Sequence, residues 1–508
     1  FLKFKDILIS DIDLDLNNDE GFIQIKDIKS TIVNGTNFNI KTNFFDDNLF
    51  VESSYMAKKK INRINFNHTI DSSNKSLITF ENMELTINDQ KWEIDKKNPT
   101  NKLPQLVFSW DKRDYSFLDA NFKSNDQFLA VNFLENENSS EYSIDFVNLS
   151  LKNITNPKNK IFFEGLVNGK IELIKKGDLY EGKSNLTLKD LSANSNNLGD
   201  ATLKIDASKD LKSFVMDFGI EKDKNKILSL NGNFGIEKDF FPLDLELNMY
   251  GFSIMPFSKI GDNVITDFRG KFDSSVKISG NTNEPVFDGI ISNNNVEFKI
   301  PYLNVDYKLA NNPSFQLSNQ SFKIKDFELL HSKSKTTGKL NGLITHNKFK
   351  EWFLDLNIST NNLQILETNS ENQNLYYGNA FLDGFANING PGERLSIEIV
   401  GSTNNGTYIT IPLSDSKNTG DLSYLSFNTK NKRINSKSND GLKVNLDLEF
   451  NKNARIDVIL DPVSESKLEV NGFGNLDFLI NTTGNFNIFG NYEVESGSYF
   501  YKSLGIVD

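Results

Sequence analysis

The stretch "RGKFDSSVKISGNTNEPVFDGIISNNNVEFKIP", Arg269–Pro301, alternates apolar with polar residues, breaks at a turn rich in Gly and Asn, and then alternates again. Successive side chains of a β-strand point to opposite faces of a sheet, so the pattern predicts two strands with one apolar and one polar face each. The cluster between them is typical of a hairpin turn. The stretch therefore predicts an antiparallel hairpin, and it contains no residue pattern typical of catalysis.

The same alternation continues along the chain, for example in "FPLDLELNM" (Phe241–Met249) and "LKVNLDLEF" (Leu442–Phe450). Roughly 30 such strands at about 4.8 Å spacing would make a sheet far longer than a compact sandwich. Only Phe252–Asp262 favours a short helical segment. The sequence predicts an all-β chain, elongated and antiparallel-rich, with three segments at residues 1–105, 106–250 and 251–508.

Composition excludes several classes of function. The 508 residues carry a formal net charge of −12, which argues against nucleic acid as a partner, because phosphate binding needs a basic face. The chain has no cysteine, so neither disulfides nor Cys-based metal sites are expected. It begins at Phe1 without a signal peptide or an apolar run of membrane-spanning length, and we interpret it as a fragment of a longer protein.

Phrases similar to the opening stretch recur at uneven spacing, which indicates a degenerate repeat that extends a sheet rather than builds a pocket. They include Gly384–Pro412 and Gly472–Lys502, and more loosely Asn168–Ala193. The glycines at strand ends and within strands are expected to act partly as bending points and partly as ordinary turns. These glycines are Gly280, Gly289, Gly390, Gly401, Gly472, Gly474, Gly484 and Gly490.

The later phrases carry a family resemblance. The runs Tyr377–Ser416 and Leu442–Tyr501 resemble the C-terminal region of the TamB family, the AsmA-like translocation and assembly module subunits, in a form similar to those of the Bacteroidetes. The resemblance covers about Phe252–Asp508 and fades before it. The residues that carry its motifs are Gly384, Gly390, Pro412, Asp461, Pro462, Gly472, Gly474, Gly490 and Gly497.

This resemblance implies a long sheet curled into a U-shaped trough with an apolar inner face. It implies a periplasmic, non-enzymatic protein that carries phospholipids from the inner to the outer membrane. An anchor helix absent from this chain would hold it in the inner membrane, and an outer-membrane barrel of the Omp85 type would be its protein partner. No cofactor is expected.

Alternation selects the residues expected to line such a trough, and phospholipid acyl chains would lie against them because each buried CH₂ contributes about 0.8 kcal/mol. Leu448→Asp or Phe478→Asp is expected to impede lipid passage while the elongated sheet stays folded. Periodicity alone favours an ordinary core between two packed sheets, and the family resemblance reverses that preference. The predicted lining residues are Phe298, Ile300, Leu356, Ile358, Ile397, Ile399, Leu446, Leu448, Ile456, Val458, Phe478, Ile480, Phe486 and Ile488.

Two other functions remain open. One is a scaffold that guides unfolded strands of outer-membrane proteins to the barrel partner by strand addition. The other is a surface adhesin of stacked sandwiches. Candidates for metal or catalytic chemistry are weak: His68, His331 and His346 are scattered, and "DIDLDL" (Asp11–Leu16) lacks the Gly and Glu of a calcium loop.

Overall fold

The computed structural model describes residues 2–4, 7–17, 19–30, 34–97, 101–110, 114–153, 161–236, 240–261, 265–348, 351–371, 376–392, 394–412, 442–461, 466–481 and 486–501.

The chain divides into two compact units, residues 1–246 and 247–508, and each is built from β-strands. The strands of the first unit are β1 (Leu2–Phe4), β2 (Ile7–Leu16), β3 (Glu20–Lys29), β4 (Asn34–Phe45), β5 (Asn48–Ala57), β6 (Lys60–Ile70), β7 (Lys75–Ile87), β8 (Gln90–Ile94), β9 (Gln105–Ser109), β10 (Tyr115–Ser124), β11 (Gln127–Glu135), β12 (Ser139–Ser150), β13 (Phe163–Lys176), β14 (Leu179–Ala193), β15 (Asn196–Ala207), β16 (Ser213–Lys222) and β17 (Asn225–Gly235).

The unit boundary falls within the next strand. The remaining strands are β18 (Leu243–Ser253), β19 (Thr266–Gly280), β20 (Pro285–Ile300), β21 (Val305–Leu309), β22 (Ser314–Asn319), β23 (Ser321–His331), β24 (Thr337–Asn347), β25 (Glu351–Thr368), β26 (Tyr377–Pro391), β27 (Ser396–Thr403), β28 (Tyr408–Pro412), β29 (Lys443–Phe450), β30 (Arg455–Asp461), β31 (Ser466–Asn481) and β32 (Phe486–Phe500). Short 3₁₀ helices lie at Leu151–Asn153 and Met255–Gly261, and the second confirms the predicted helical segment.

In the first unit each strand pairs antiparallel with the next along the chain, as a meander. The exception is β8 and β9, which lie in line between β7 and β10 and together replace one long strand. The prediction of an all-β chain built on one long, mainly antiparallel sheet is confirmed. The U-shaped trough and the three sequence segments stay predictions.

The second unit contains two parallel pairs, which the sequence did not predict. Strands β27 and β28 lie in line along β26, and β29 and β30 lie in line along β31. Within the sheet β27 pairs with β29 in parallel, and β28 pairs with β30 in parallel. A parallel pair needs a connection of about a dozen residues or more, and residues 413–441 provide that length. Apolar alternation is the same for either direction, so it could not reveal this.

Asn and Asp side chains support β-bulges at every second strand of β10–β15. At the bulge in β10, Asp119 has a φ of 56°, and its backbone N–H donates to Oδ1 of Asn132 on β11 at 2.9 Å. The bulges of β12 and β14 repeat this contact, from Asn148 to Asn168 and from Asp190 to Asp200. Asn and Asp tolerate positive φ better than other non-glycine residues. Asn and Asp residues therefore support these bulges, whereas the role of the glycines as bending points stays a prediction, and Gly484 lies outside the described residues.

Replacing Asn132 with Ala is expected to destabilise the first unit by about 1–2 kcal/mol, because the Asp119 N–H would lose its partner at the bulge. Asn132→Asp keeps an acceptor oxygen and is the matched control, with an expected cost below about 0.5 kcal/mol. Urea unfolding followed by hydrogen exchange at β10 and β11 measures both. Equal stability of the two variants would show that the contact does not support the bulge.

Candidate functional site

The predicted lining residues of the second unit lie on one face of its sheet. Directly opposite residues form a row through Ile358, Ala386, Ile399, Leu446 and Phe478, ending at Ile488 on β32. A second row carries Leu356, Ile397, Ile480 and Phe486, and Ile456 and Val458 extend the face on β30. The structure therefore brings together the residues that alternation selected.

This face is packed against apolar side chains of the same unit. Six of the predicted lining residues are buried members of two apolar clusters, the second of which contains Phe327 and Leu329, and seven more are half-buried and packed against those clusters. Leu448 is only 4% exposed and Phe478 only 3%. The fourteenth residue, Ile488, is 36% exposed because it lies on β32, which pairs only with β31 among the described strands. An Asp at Leu448 or Phe478 would therefore disturb a packed core.

The family-motif glycines lie where strands approach closely. A Cβ at Gly474 would overlap the backbone carbonyl oxygen of Asn491, and one at Gly490 that of Asn475. Their φ values of 153° and 119° also favour glycine. Of the other motif residues, Gly384 and Gly390 lie in β26, Gly472 in β31 and Gly497 in β32, whereas Pro412 and Asp461 end β28 and β30; Pro462 lies outside the described residues.

The first unit carries a row of apolar residues that are not among the predicted lining residues. Directly opposite residues cross eight consecutive strands, β10 to β17, and each of them is only half-buried. At about 4.8 Å per strand the row is about 34 Å long, comparable with the ~30 Å hydrocarbon core of a bilayer. We call it the apolar row; its residues are Phe122, Leu129, Phe146, Gly169, Leu186, Leu203, Phe218 and Leu230.

Aromatic rings extend the same face of β11. The rings of Phe66, Phe80, Phe117, Phe133 and Tyr142 follow one another on five strands, with centroid separations of 6.0, 6.0, 5.9 and 6.5 Å. Tyr142 is 38% exposed, and its hydroxyl donates to Glu135 at 2.9 Å, at the polar margin of the row. The four Phe rings are half-buried. Strands of the first unit therefore present an apolar face that their own side chains leave partly open.

The signal for these residues was present in the sequence. Leu129, Val131 and Phe133 recur at every second residue of "FLAVNFLE" (Phe128–Glu135), in the same pattern that identified strands elsewhere. The family resemblance weakens before Phe252, so all the predicted lining residues lie in the later strands. Neither alternation nor resemblance reports how far a face is covered, which depends on what packs against it.

Two buried histidines of the second unit, His331 and His346, are outside the rows of lining residues. His331 ends β23 fully buried, and its Nδ1 accepts the backbone N–H of Ser334 at 3.2 Å, while its Nε2 lies 4.0 Å from Oε2 of Glu367. The carboxylate is itself paired with Lys333 at 2.7 Å. Burial lowers the pKa of His331, and the nearby Glu367 opposes that effect only in part. Burial also lowers the pKa of His346 in β24. Both arrangements favour neutral, structural histidines.

The second unit is therefore expected to lose stability in mild acid. A lowered folded-state pKa means that the stability is fully present above the unfolded-state pKa of about 6.5 and falls as the pH drops below it. Between pH 7.5 and 5.5 each histidine contributes a loss of at most about 1.4 kcal/mol. Urea midpoints at β23–β25, measured by hydrogen exchange, should fall in the native chain and fall less in H331Q/H346Q. An equal fall in both would contradict the assignment.

Other candidates form no site. In the part of the chain that the structure describes, no group of three or more His, Asp or Glu side chains is arranged to hold a metal ion. Asp11, Asp13 and Asp15 are exposed on β2, where Asp11 pairs with Lys26 at 3.1 Å. None of the described helices has the length and apolarity of a membrane span.

Comparison with known families gives one match. Residues 320–505 match the family model described as the TamB C-terminal domain. No curated protein and no solved structure matches the chain. The matched range covers β23 to β32 among the described strands, including both parallel pairs and most of the predicted lining face.

Proposed function

The chain belongs to the TamB family over residues 320–505, and on that premise we propose that it carries phospholipids between the inner and outer membranes along the apolar faces of its sheets. The family is linked to outer-membrane assembly and lipid transport and is not a known enzyme family. The proposal places the chain in the periplasm, anchored in the inner membrane through a segment outside this sequence and reaching an Omp85-type barrel in the outer membrane.

The half-buried apolar row of the first unit is the observation that carries this proposal. The residues of the row stay partly accessible along about 34 Å, and soluble proteins normally limit open apolar surface, so an apolar ligand is a suitable cover for them. Acyl chains fit because their attraction to such a face is non-directional and similar at each strand, which allows movement along it. The outward residues of the same strands, such as Lys204 and Asp217, are exposed and polar.

The predicted lining of the second unit belongs to the same proposal. There six of the lining side chains are buried within the unit, so acyl chains would contact mainly the half-buried ones. The first unit is therefore proposed as the part that holds lipid at rest.

A scaffold for outer-membrane proteins is the second candidate. Strand β32 is 15 residues long and pairs only with β31 among the described strands, so its other edge offers backbone groups for strand addition. In that case peptide segments would occupy the apolar faces.

Crosslinking distinguishes the two functions. In the full chain within a bacterial envelope, benzoylphenylalanine replaces either Phe133 or Phe128. Phe133 lies on the aromatic face of β11, and Phe128 points to the opposite face of the same strand. We expect phospholipid adducts after irradiation at position 133 and few at position 128. Peptide adducts at position 133 would favour the scaffold, and equal lipid labelling at both positions would contradict a lipid-binding face.

A further inference from the structure

The polar face of the second unit has a shallow depression across β27, β29, β31 and β32. Its apolar walls are Val400, Leu479 and Phe489, which are 46%, 42% and 55% exposed. Its acidic residues are Glu398, Asp447 and Asp477. We call it the acidic depression. It lies on the side of the sheet opposite the predicted lining, because these residues alternate with Ile399, Leu446 and Phe478 along their strands.

Two of its carboxylates oppose one another. Asp447 on β29 and Asp477 on β31 are directly opposite in an antiparallel pair. Like charges at such positions destabilise a sheet. Among the residues that the structure describes, no Lys or Arg forms an ion pair with Asp447, Asp477 or Glu398. The sheet therefore keeps an electrostatic repulsion that folding alone does not require.

The same strand shows the contrasting case. Glu469 on β31 is directly opposite Asp457 on β30, and here each carboxylate has a cation: Arg455 lies 3.0 Å from Asp457, and Lys467 lies 2.6 Å from Glu469. Lys467 also lies over the ring of Phe500, 5.2 Å from its centroid. One acidic pair of β31 is thus neutralised within the unit, and the described residues leave the other without a cation.

We propose that the acidic depression binds a short basic segment of a partner protein. Two Lys or Arg side chains of the segment would pair with Asp447, Asp477 and Glu398, and an apolar side chain between them would cover Val400, Leu479 and Phe489. A bare metal ion would leave these apolar walls exposed, and an anionic lipid headgroup would be repelled. Apolar anchors that become desolvated at the centre of an interface contribute most of its affinity, and complementary charges set partner choice and association rate.

A synthetic nonapeptide of alternating Lys and Leu, labelled with fluorescein, tests this with the full chain. Fluorescence anisotropy at low salt should show binding that weakens tenfold or more in D447N/D477N and in F489A. The urea midpoint of D447N/D477N should equal or exceed that of the native chain, because the repulsion is removed. D288N/D355N, which neutralises two exposed carboxylates elsewhere in the unit, is the control and should bind like the native chain.

Three results would overturn the proposal. Absence of binding at low salt would do so, and so would equal binding by all variants, which would indicate attraction to the net negative charge alone. The third is a tenfold rise in peptide affinity on replacing Lys430, Lys432 and Arg433 with Gln. These residues lie in the connection from β28 to β29, and such a rise would mean that the chain itself supplies the basic segment.

Discussion

Replacing Leu448 with Asp is expected to destabilise the second unit by about 4 kcal/mol or more. The side chain is 4% exposed within the larger apolar cluster, so the substitution removes its packing and buries a carboxylate without a partner. Alternation and the family resemblance predicted that this variant would leave the sheet folded and impede lipid passage. The burial of Leu448 predicts loss of the fold around β29 instead.

Leu460→Asp is the matched control, since it makes the same change in β30, the next strand along the chain, at a residue that is 41% exposed. Its expected cost is below about 1 kcal/mol. Urea unfolding followed by hydrogen exchange across β29–β31 compares the two. If both variants were as stable as the native chain, the apolar face of the second unit would not be a packed core.

Replacing Phe133 with Asp is expected to weaken phospholipid binding by about 10- to 100-fold, because a buried Phe side chain contributes about 1.5–3 kcal/mol. Phe133 contacts Phe117 and Tyr142 on the half-buried face, and an Asp there can remain hydrated. The cost in stability should therefore be smaller than for Leu448→Asp. Binding of a fluorescent phospholipid to the full chain measures the effect.

Phe128→Asp is the control for this prediction. It adds the same charge to the same strand on the opposite face, where Phe128 is 39% exposed. Lipid affinity should be unchanged. An equal loss in both variants would point to damage to β11 rather than to a lipid contact. An unchanged affinity in Phe133→Asp would show that the aromatic face of β11 does not bind lipid.

Much of the fold follows from local rules that a single sequence displays. Alternation located strands such as β20 and β29 and assigned Leu446 and Phe478 to one face, because side-chain direction in a strand depends only on position. The pairing of β27 with β29 could not be read in this way, since alternation is the same in parallel and antiparallel strands. The bulge at Asp119 depends on Asn132 in the next strand, which local sequence does not reveal.

The candidate site was predictable only in part. Sequence and family resemblance selected the apolar face of the second unit, but burial is a property of everything packed around a residue. Leu448 and Phe133 follow the same alternation, yet one is in a closed core and the other on a partly open face. Asn132 and Asn168 have specific roles at bulges, which depend on the neighbouring strand and not on the local pattern.

Native mass spectrometry of the full chain, purified from a bacterial envelope and combined with lipid extraction, tests the central claim most directly. We expect phospholipids to co-purify with the native chain and with F128D, and to be largely lost from F133D. A native chain that carries no lipid, with hydrogen exchange showing both units folded, would contradict the claim that the half-buried apolar face holds acyl chains.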